Sequence, residues 1–191
     1  SALVAASAVP IVVVDDGSSD AASHRSVVAE FADAGQAVSL IRHDVPGGPA
    51  SARMSGAGAV AAMDSTHGPV EFIAFVGSDV EVESDWLDPL LGLFADPRVG
   101  LVAPRVRHGA DVSGSRGEST LDRFESARSP LDLGSKPAPI APNSRVSYVP
   151  AAAIIVRRSA FVVVNGFDTS LTVGEDVDLV WRLVDAGWRC Q

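Results

Sequence analysis

The sequence predicts an α/β fold, a mainly parallel sheet with helices on both faces, and three observations carry that prediction. Short β-branched or aromatic runs alternate with helix-forming stretches through the first hundred residues. Two of those runs end abruptly in acidic turns, IVVVDDGSSD at 11–20 and FIAFVGSD at 72–79. A buried parallel strand delivers side chains to its carboxyl edge in this way, where open α/β sheets bind ligands. The length of 191 residues suits one domain with a sizeable core.

The elements follow in order. Residues 3–8 read as the tail of a helix, and Pro10 punctuates entry into a strand over 11–15. Asp20 is placed to cap a helix running to about residue 34, with Val27, Val28 and Phe31 on one face and Gly35 as its stop. A second strand is predicted over 38–42. The loop DVPGG at 44–48 leads into an alanine- and glycine-rich helix over 49–63. A third strand covers 72–76, Ser84 or Asp85 caps a helix over 86–94, and a fourth strand covers 99–104. Beyond it, 105–119 is polar and glycine-rich, a short helix is expected over 120–128, and 129–145 carries four prolines, Pro130, Pro137, Pro139 and Pro142. Such irregular chain inside a domain points to a binding lobe or a disordered loop. Extended segments are expected at 146–149 and 153–157, and a last helix runs from near Glu175 to Gly187.

Composition excludes several classes. A formal charge of −9 argues against a sequence-blind grip on nucleic acid phosphates. Cys190 is the single cysteine, so neither a disulfide framework nor a cysteine-rich metal site is available. No stretch reaches the roughly 18 apolar residues of a membrane span, and no signal-like start is seen. The expected compartment is the cytoplasm.

Three acidic sites can carry chemistry. Asp15 and Asp16 can accept hydrogen bonds from a base and a ribose, and the same residues are ordinary cap and turn chemistry. Asp79 can ligate a hard cation such as Mg²⁺ or Mn²⁺, which takes one or two carboxylates plus substrate phosphates; with Glu81, Glu83 and Asp85 it also reads as a solvated acidic loop. Glu175, Asp176 and Asp178 open a helix, where the macrodipole alone favours acids by roughly 0.3–1 kcal/mol each. The chemical reading makes Asp176 a general base. Arg53, early in the helix after the glycine loop, can meet a diphosphate or a base edge, or simply face solvent. The four histidines show no metal-ligand spacing and receive no role, and Trp86, Trp181 and Trp188 are expected in the core.

Five segments in order, VVVDDGSSD, GPASARMSG, FVGSDVEVESDWL, GFD at 166–168 and GEDVDLVWRL at 174–183, resemble the inverting family-2 nucleotide-sugar glycosyltransferases of the GT-A fold. The resemblance covers nearly the whole chain. The stretch RFESARSPLDLGSKPAPIAPNSRVSYVPAAAIIVRR is most similar to the mycofactocin-system branch, understood to glucosylate a peptide-derived redox cofactor. The resemblance implies a UDP-sugar donor, a hydroxyl acceptor and a divalent metal, Mg or Mn. It assigns Asp16 to the uracil with Asp15 beside it, Arg53 to the nucleotide, Asp79 to the metal, and Asp176 to the catalytic base with Glu175 before it. Residues 1–104 would form the nucleotide-sugar half and 105–191 the acceptor side. Gly77 stands in place of the first aspartate of Asp-x-Asp, and Met54 in place of an asparagine. A strand and helix are expected ahead of VVVDDGSSD and a further strand after Gln191, so the chain reads as the core of a longer enzyme, with an open sheet edge that invites oligomers. Three other readings differ from this one: a cell-envelope glycan transferase, a nucleotide-binding module without catalysis, and a phosphoacceptor signalling domain. The last lacks a strand-end lysine, since Lys136 is the only lysine.

Overall fold

The computed structural model describes residues 9–63, 68–107, 129 and 131–191. Strand β1 (Ile11–Asp15) pairs in parallel with β2 (Val38–Arg42), Ile11 opposite Val38 and Asp15 opposite Arg42. Helix α1 (Ala21–Asp33) joins them, with Asp20 at its N-cap accepting from the Ser23 amide as predicted. Helix α2 (Gly48–Ala62) leads to β3 (Phe72–Val76). A second sheet has the order β3-β5-β4-β6, with β4 over Val99–Val102, β5 over Ala153–Arg157 and β6 over Arg189–Cys190. Only β5 is reversed in it: it is antiparallel to β3 and β4, while β4 and β6 run in parallel.

Strand β5 explains how helices come to cover both faces. Its residues alternate sides. Ile154 and Val156 join Ile73, Phe75 and Leu101 in the larger core, against α2 and the helix α5 (Glu175–Asp185). Ile155 joins Phe94, Val99 and Val102 in a smaller core on the other face, with Trp86, Leu87 and Leu90 packed against it. The larger core also holds an aromatic trio, Phe75, Phe161 and Phe167, with ring centroids 5.2–5.7 Å apart.

The structure corrects several expectations. Strand β1 is not fully buried: Ile11–Val14 are only half-buried, because the edge away from β2 borders an apolar slot of about 530 Å³ in front of β3. The helix predicted over 86–94 is a short α3 (Leu87–Leu91) followed by a 3₁₀ turn (Gly92–Ala95), and no side chain caps it, since its N-cap is Trp86 rather than Ser84 or Asp85. Residues 146–149 form no strand; Val146 makes a single bridge to Ile140, held there by the Ser144 turn. A short helix α4 (Arg158–Val163) and β6 go beyond the predicted elements. Trp181 is 45% exposed rather than in the core, its indole N–H donating to the Ser147 carbonyl. The irregular chain over 131–145 is as expected, and the Arg105–Asp132 pair at 2.7 Å ties its start back to the end of β4. The predicted helices at 3–8 and 120–128 lie outside the described residues. No helix among the described residues is long and apolar enough to cross a membrane.

Candidate active site

The carboxyl ends of β1 and β2 build one wall of the site. Successive strand residues point to opposite sides, and Asp15 and Asp16 accordingly part. Asp15 is buried, with 5% of its surface exposed. It accepts from the Ser18 amide at 2.9 Å, pairs with Arg42, and has His24 at 3.4 Å. Ser18 first, then His24 and Arg42, hold its carboxyl well below the usual range. Asp15 thus fastens the turn after β1, and both its oxygens are engaged.

Asp16 faces the other loop. Its carboxylate accepts from the amides of Gly47 (2.9 Å) and Gly48 (2.7 Å) and lies 2.6 Å from His43 Nδ1. The Gly47 amide, followed by His43 and Gly48, lowers its pKa. The start of α2 has no side chain of its own as a cap, and Asp16 supplies the negative charge that a helix N-terminus favours. The two loops touch closely. Gly17 has φ +78°, and a Cβ there would lie 2.8 Å from Pro46 Cδ, so the turn requires glycine twice over.

The opposite wall joins residues distant in sequence. Arg53 on α2 donates to Glu175 Oε1 at 2.6 Å and to the Ala151 carbonyl at 3.2 Å, with its guanidinium 5.3 Å from the Phe167 ring centre. The Ala151 amide donates to Asp176 Oδ2 at 3.2 Å, and Asp176 Oδ1 accepts from the Val177 amide. At the next residue, the Ala152 carbonyl accepts from the Gly77 amide at 2.8 Å, bringing the end of β3 to the same place. Arg53, Glu175 and Asp176 therefore converge on the segment before β5, with the Gly77–Asp79 turn beside them.

Asp79 is exposed and, among the described residues, makes no hydrogen bond or ion pair. An unpartnered carboxylate at a strand end fits one ligand of a hard cation that takes its remaining oxygens from phosphates. No group of three metal-binding side chains forms among the described residues. A Cβ at Gly77 would lie 2.8 Å from Asp79 Oδ1, so a second carboxylate at that position would require Asp79 to turn away. Met54, where the resemblance has asparagine, packs against the larger core. Its sulfur packs on the Gly166 turn and meets the Phe167 amide at 3.3 Å.

His43 and Ser55 carry no sequence-level signal strong enough to single them out. His43 directly follows β2, however, so the strand-end rule that selects Asp15 and Asp79 also reaches it.

The fold is of the GT-A glycosyltransferase type. Residues 3–161 match the sequence family Glycosyl transferase family 2, and the chain belongs to that family. Among particular proteins, it is 44% identical over 179 residues to the pre-mycofactocin glycosyltransferase of Mycobacterium tuberculosis, in both strain CDC 1551 and strain H37Rv. The alignment covers 94% of this chain and 34% of those proteins, so the chain spans about a third of these curated relatives. The mouse polypeptide N-acetylgalactosaminyltransferase 15 is 28% identical over 189 residues. Among solved structures, the mannosyltransferase PcManGT of Pyrobaculum calidifontis, in complex with GDP-Man and Mn²⁺, superposes with a TM-score of 0.63 at 19% identity, over 95% of this chain and 44% of that one. GalNAc-T7, with UDP, GalNAc and Mn²⁺, gives 0.64 at 17% identity, over 95% of this chain and 35% of that one.

Proposed function

We propose that the chain is the donor-binding and catalytic core of an enzyme that moves glucose from UDP-glucose, with inversion, onto a hydroxyl of the peptide-derived cofactor mycofactocin. The identity to the pre-mycofactocin glycosyltransferases supports the acceptor. The observation that carries the reading is the meeting of Arg53, Glu175 and Asp176 around Ala151, beside the Gly77–Asp79 turn. In this reading residues 1–104 form the nucleotide-sugar half and 105–191 the acceptor half. The enzyme acts in the cytoplasm, and oligomers are compatible with its open sheet edge.

Each residue has a task that its surroundings suit. Asp176, held by two backbone amides, takes the proton from the acceptor hydroxyl as that oxygen attacks the anomeric carbon. Arg53 has five N–H donors in a fixed fork, and those not spent on Glu175 and Ala151 remain for the nucleotide. Asp16 meets the uracil edge, and Asp15 holds the strand end that presents it. Asp79 would hold a Mg²⁺ or Mn²⁺, which when bound supplies positive charge to the leaving diphosphate.

Calorimetric titration of UDP-glucose, with and without Mn²⁺, tests the reading on the native chain and on Asp79→Ala. Binding that needs Mn²⁺ and disappears in the variant is expected. Metal-independent UDP binding without turnover would instead favour a nucleotide-binding module, a reading suggested by Gly77 in place of a second carboxylate. A preference for an envelope-glycan acceptor in a transfer assay would move the enzyme to that class.

A further inference from the structure

We infer that His43 is a positioning residue, which sets the orientation of Asp16 by occupying Oδ1 and thereby keeps Oδ2 for the nucleotide. This role rests on the reading of Asp16 as the base contact and goes beyond it.

The geometry is a short chain of hydrogen bonds across three elements. Asp16 follows β1, His43 follows β2, and Ser55 lies within α2. His43 Nδ1 is 2.6 Å from Asp16 Oδ1, and His43 Nε2 is 2.9 Å from Ser55 Oγ. An ionised carboxylate only accepts, so Nδ1 carries the proton. In the neutral ring Nε2 then accepts from the Ser55 hydroxyl. Both ring nitrogens are used, and both His43 and Asp16 are largely buried, with side-chain exposures of 19% and 23%. The ring therefore has one orientation that satisfies both partners.

What this does to Asp16 follows from counting acceptor sites. A carboxylate offers about four lone-pair directions. His43 takes one on Oδ1. The Gly47 amide is shared between the two oxygens, at 2.9 and 3.1 Å, and the Gly48 amide takes one on Oδ2. Oδ1 is thus filled by His43 and the nearer arm of Gly47, whereas the second direction on Oδ2 is held only by the longer arm of that shared amide, the contact that a ring N–H of a base can replace. Without His43 a direction on Oδ1 would open, and the carboxylate could rotate about the two glycine amides. The same ring ties this carboxylate to α2, the helix that carries Arg53 two residues before Ser55.

Aspartate, histidine and serine in this connectivity also resemble a nucleophilic triad, but Ser55 sits inside a helix whose neighbouring amides are spent in the helix ladder. No oxyanion hole is available there.

Three variants test this role. His43→Ala removes both bonds, His43→Asn keeps a donor where Nδ1 stands, and Ser55→Ala removes only the second bond. The readouts are UDP-glucose affinity with Mn²⁺ present, and amide hydrogen exchange at Gly47 and Gly48. The expected result is a loss of roughly tenfold or more in affinity for His43→Ala, the scale of one hydrogen bond to a charged group. Faster exchange at both glycines should accompany it. His43→Asn should recover most of both effects, and Ser55→Ala should fall between. Native affinity and native exchange in His43→Ala would overturn the inference. So would His43→Asn behaving like His43→Ala, which would show a packing role only. If the native chain binds no UDP-glucose, the transferase reading fails; the glycine exchange pattern across the three variants still decides whether His43 positions Asp16.

Discussion

Asp15 and Asp16 stand side by side in sequence and do different work, and that difference is open to experiment. Asp15 is held ionised by Ser18, His24 and Arg42, so its folded-state pKa lies below the unfolded value of about 3.9. A group depressed in this way stabilises the fold above its unfolded pKa and loses that contribution as the pH falls through the folded value. Asp15→Asn should therefore melt several degrees below the native chain at pH 7, and the gap should narrow at pH 3. A constant gap at both pH values would mean that the carboxylate's charge plays no part. Asp176→Asn belongs to the same scale. It keeps the shape and can still accept from one of the two amides, Ala151 or Val177, through its single oxygen, but it cannot take a proton. Transfer should be abolished with donor binding spared, and an equal loss of both would make the residue structural.

At the scale of elements, the turn between α4 and α5 shows how packing sets a site. Gly166 has φ +64°, and a Cβ there would come within 2.5 Å of Met54 Sδ and 2.7 Å of Phe161 Cζ. Arg182 on α5 reaches back to the carbonyls of Val164 and Gly166 while pairing with Asp178 one turn earlier. The turn thus seats Phe167 under Arg53 and fixes α5, whose first turn holds Glu175 and Asp176. Gly166→Ala should destabilise the chain by about 1–3 kcal/mol, combining left-handed strain with overpacking, as read by urea unfolding. Donor affinity should fall with it, since Arg53 loses the ring it rests on. An unchanged midpoint would show that the turn relaxes freely.

Across the whole molecule, stability is unevenly distributed. β4 and β5 are buried almost throughout, whereas α1 has no fully buried residue, Val27 is 46% exposed, and Ile11, Val12 and Val14 border the slot. Few buried apolar contacts mean a low free energy of local opening. Backbone amides of 11–15 and 38–42 should exchange faster than those of 99–102 and 153–157. A saturating nucleotide sugar should slow exchange in 11–15 most, because binding at 100 times Kd adds about 2.7 kcal/mol to whatever it holds closed. Equal protection of both regions would remove the distinction.

Much of this is legible in the chain itself. β-branched runs, acidic strand ends, the Asp20 cap and the glycine stops determine β1 to β5, α1, α2, α5 and the candidate residues, because each signal lies within a few neighbouring positions. The family resemblance follows from the order of those same segments. Tertiary structure alone decided that β5 runs backwards between β3 and β4, since strand direction depends on connections through 103–152 rather than on the local run AIIVR. It also decided that Arg53 meets Glu175, 122 residues away, and that His43 orients Asp16 from 27 residues away. No local pattern encodes such pairs. They exist only once packed strands and helices bring the partners within hydrogen-bonding reach.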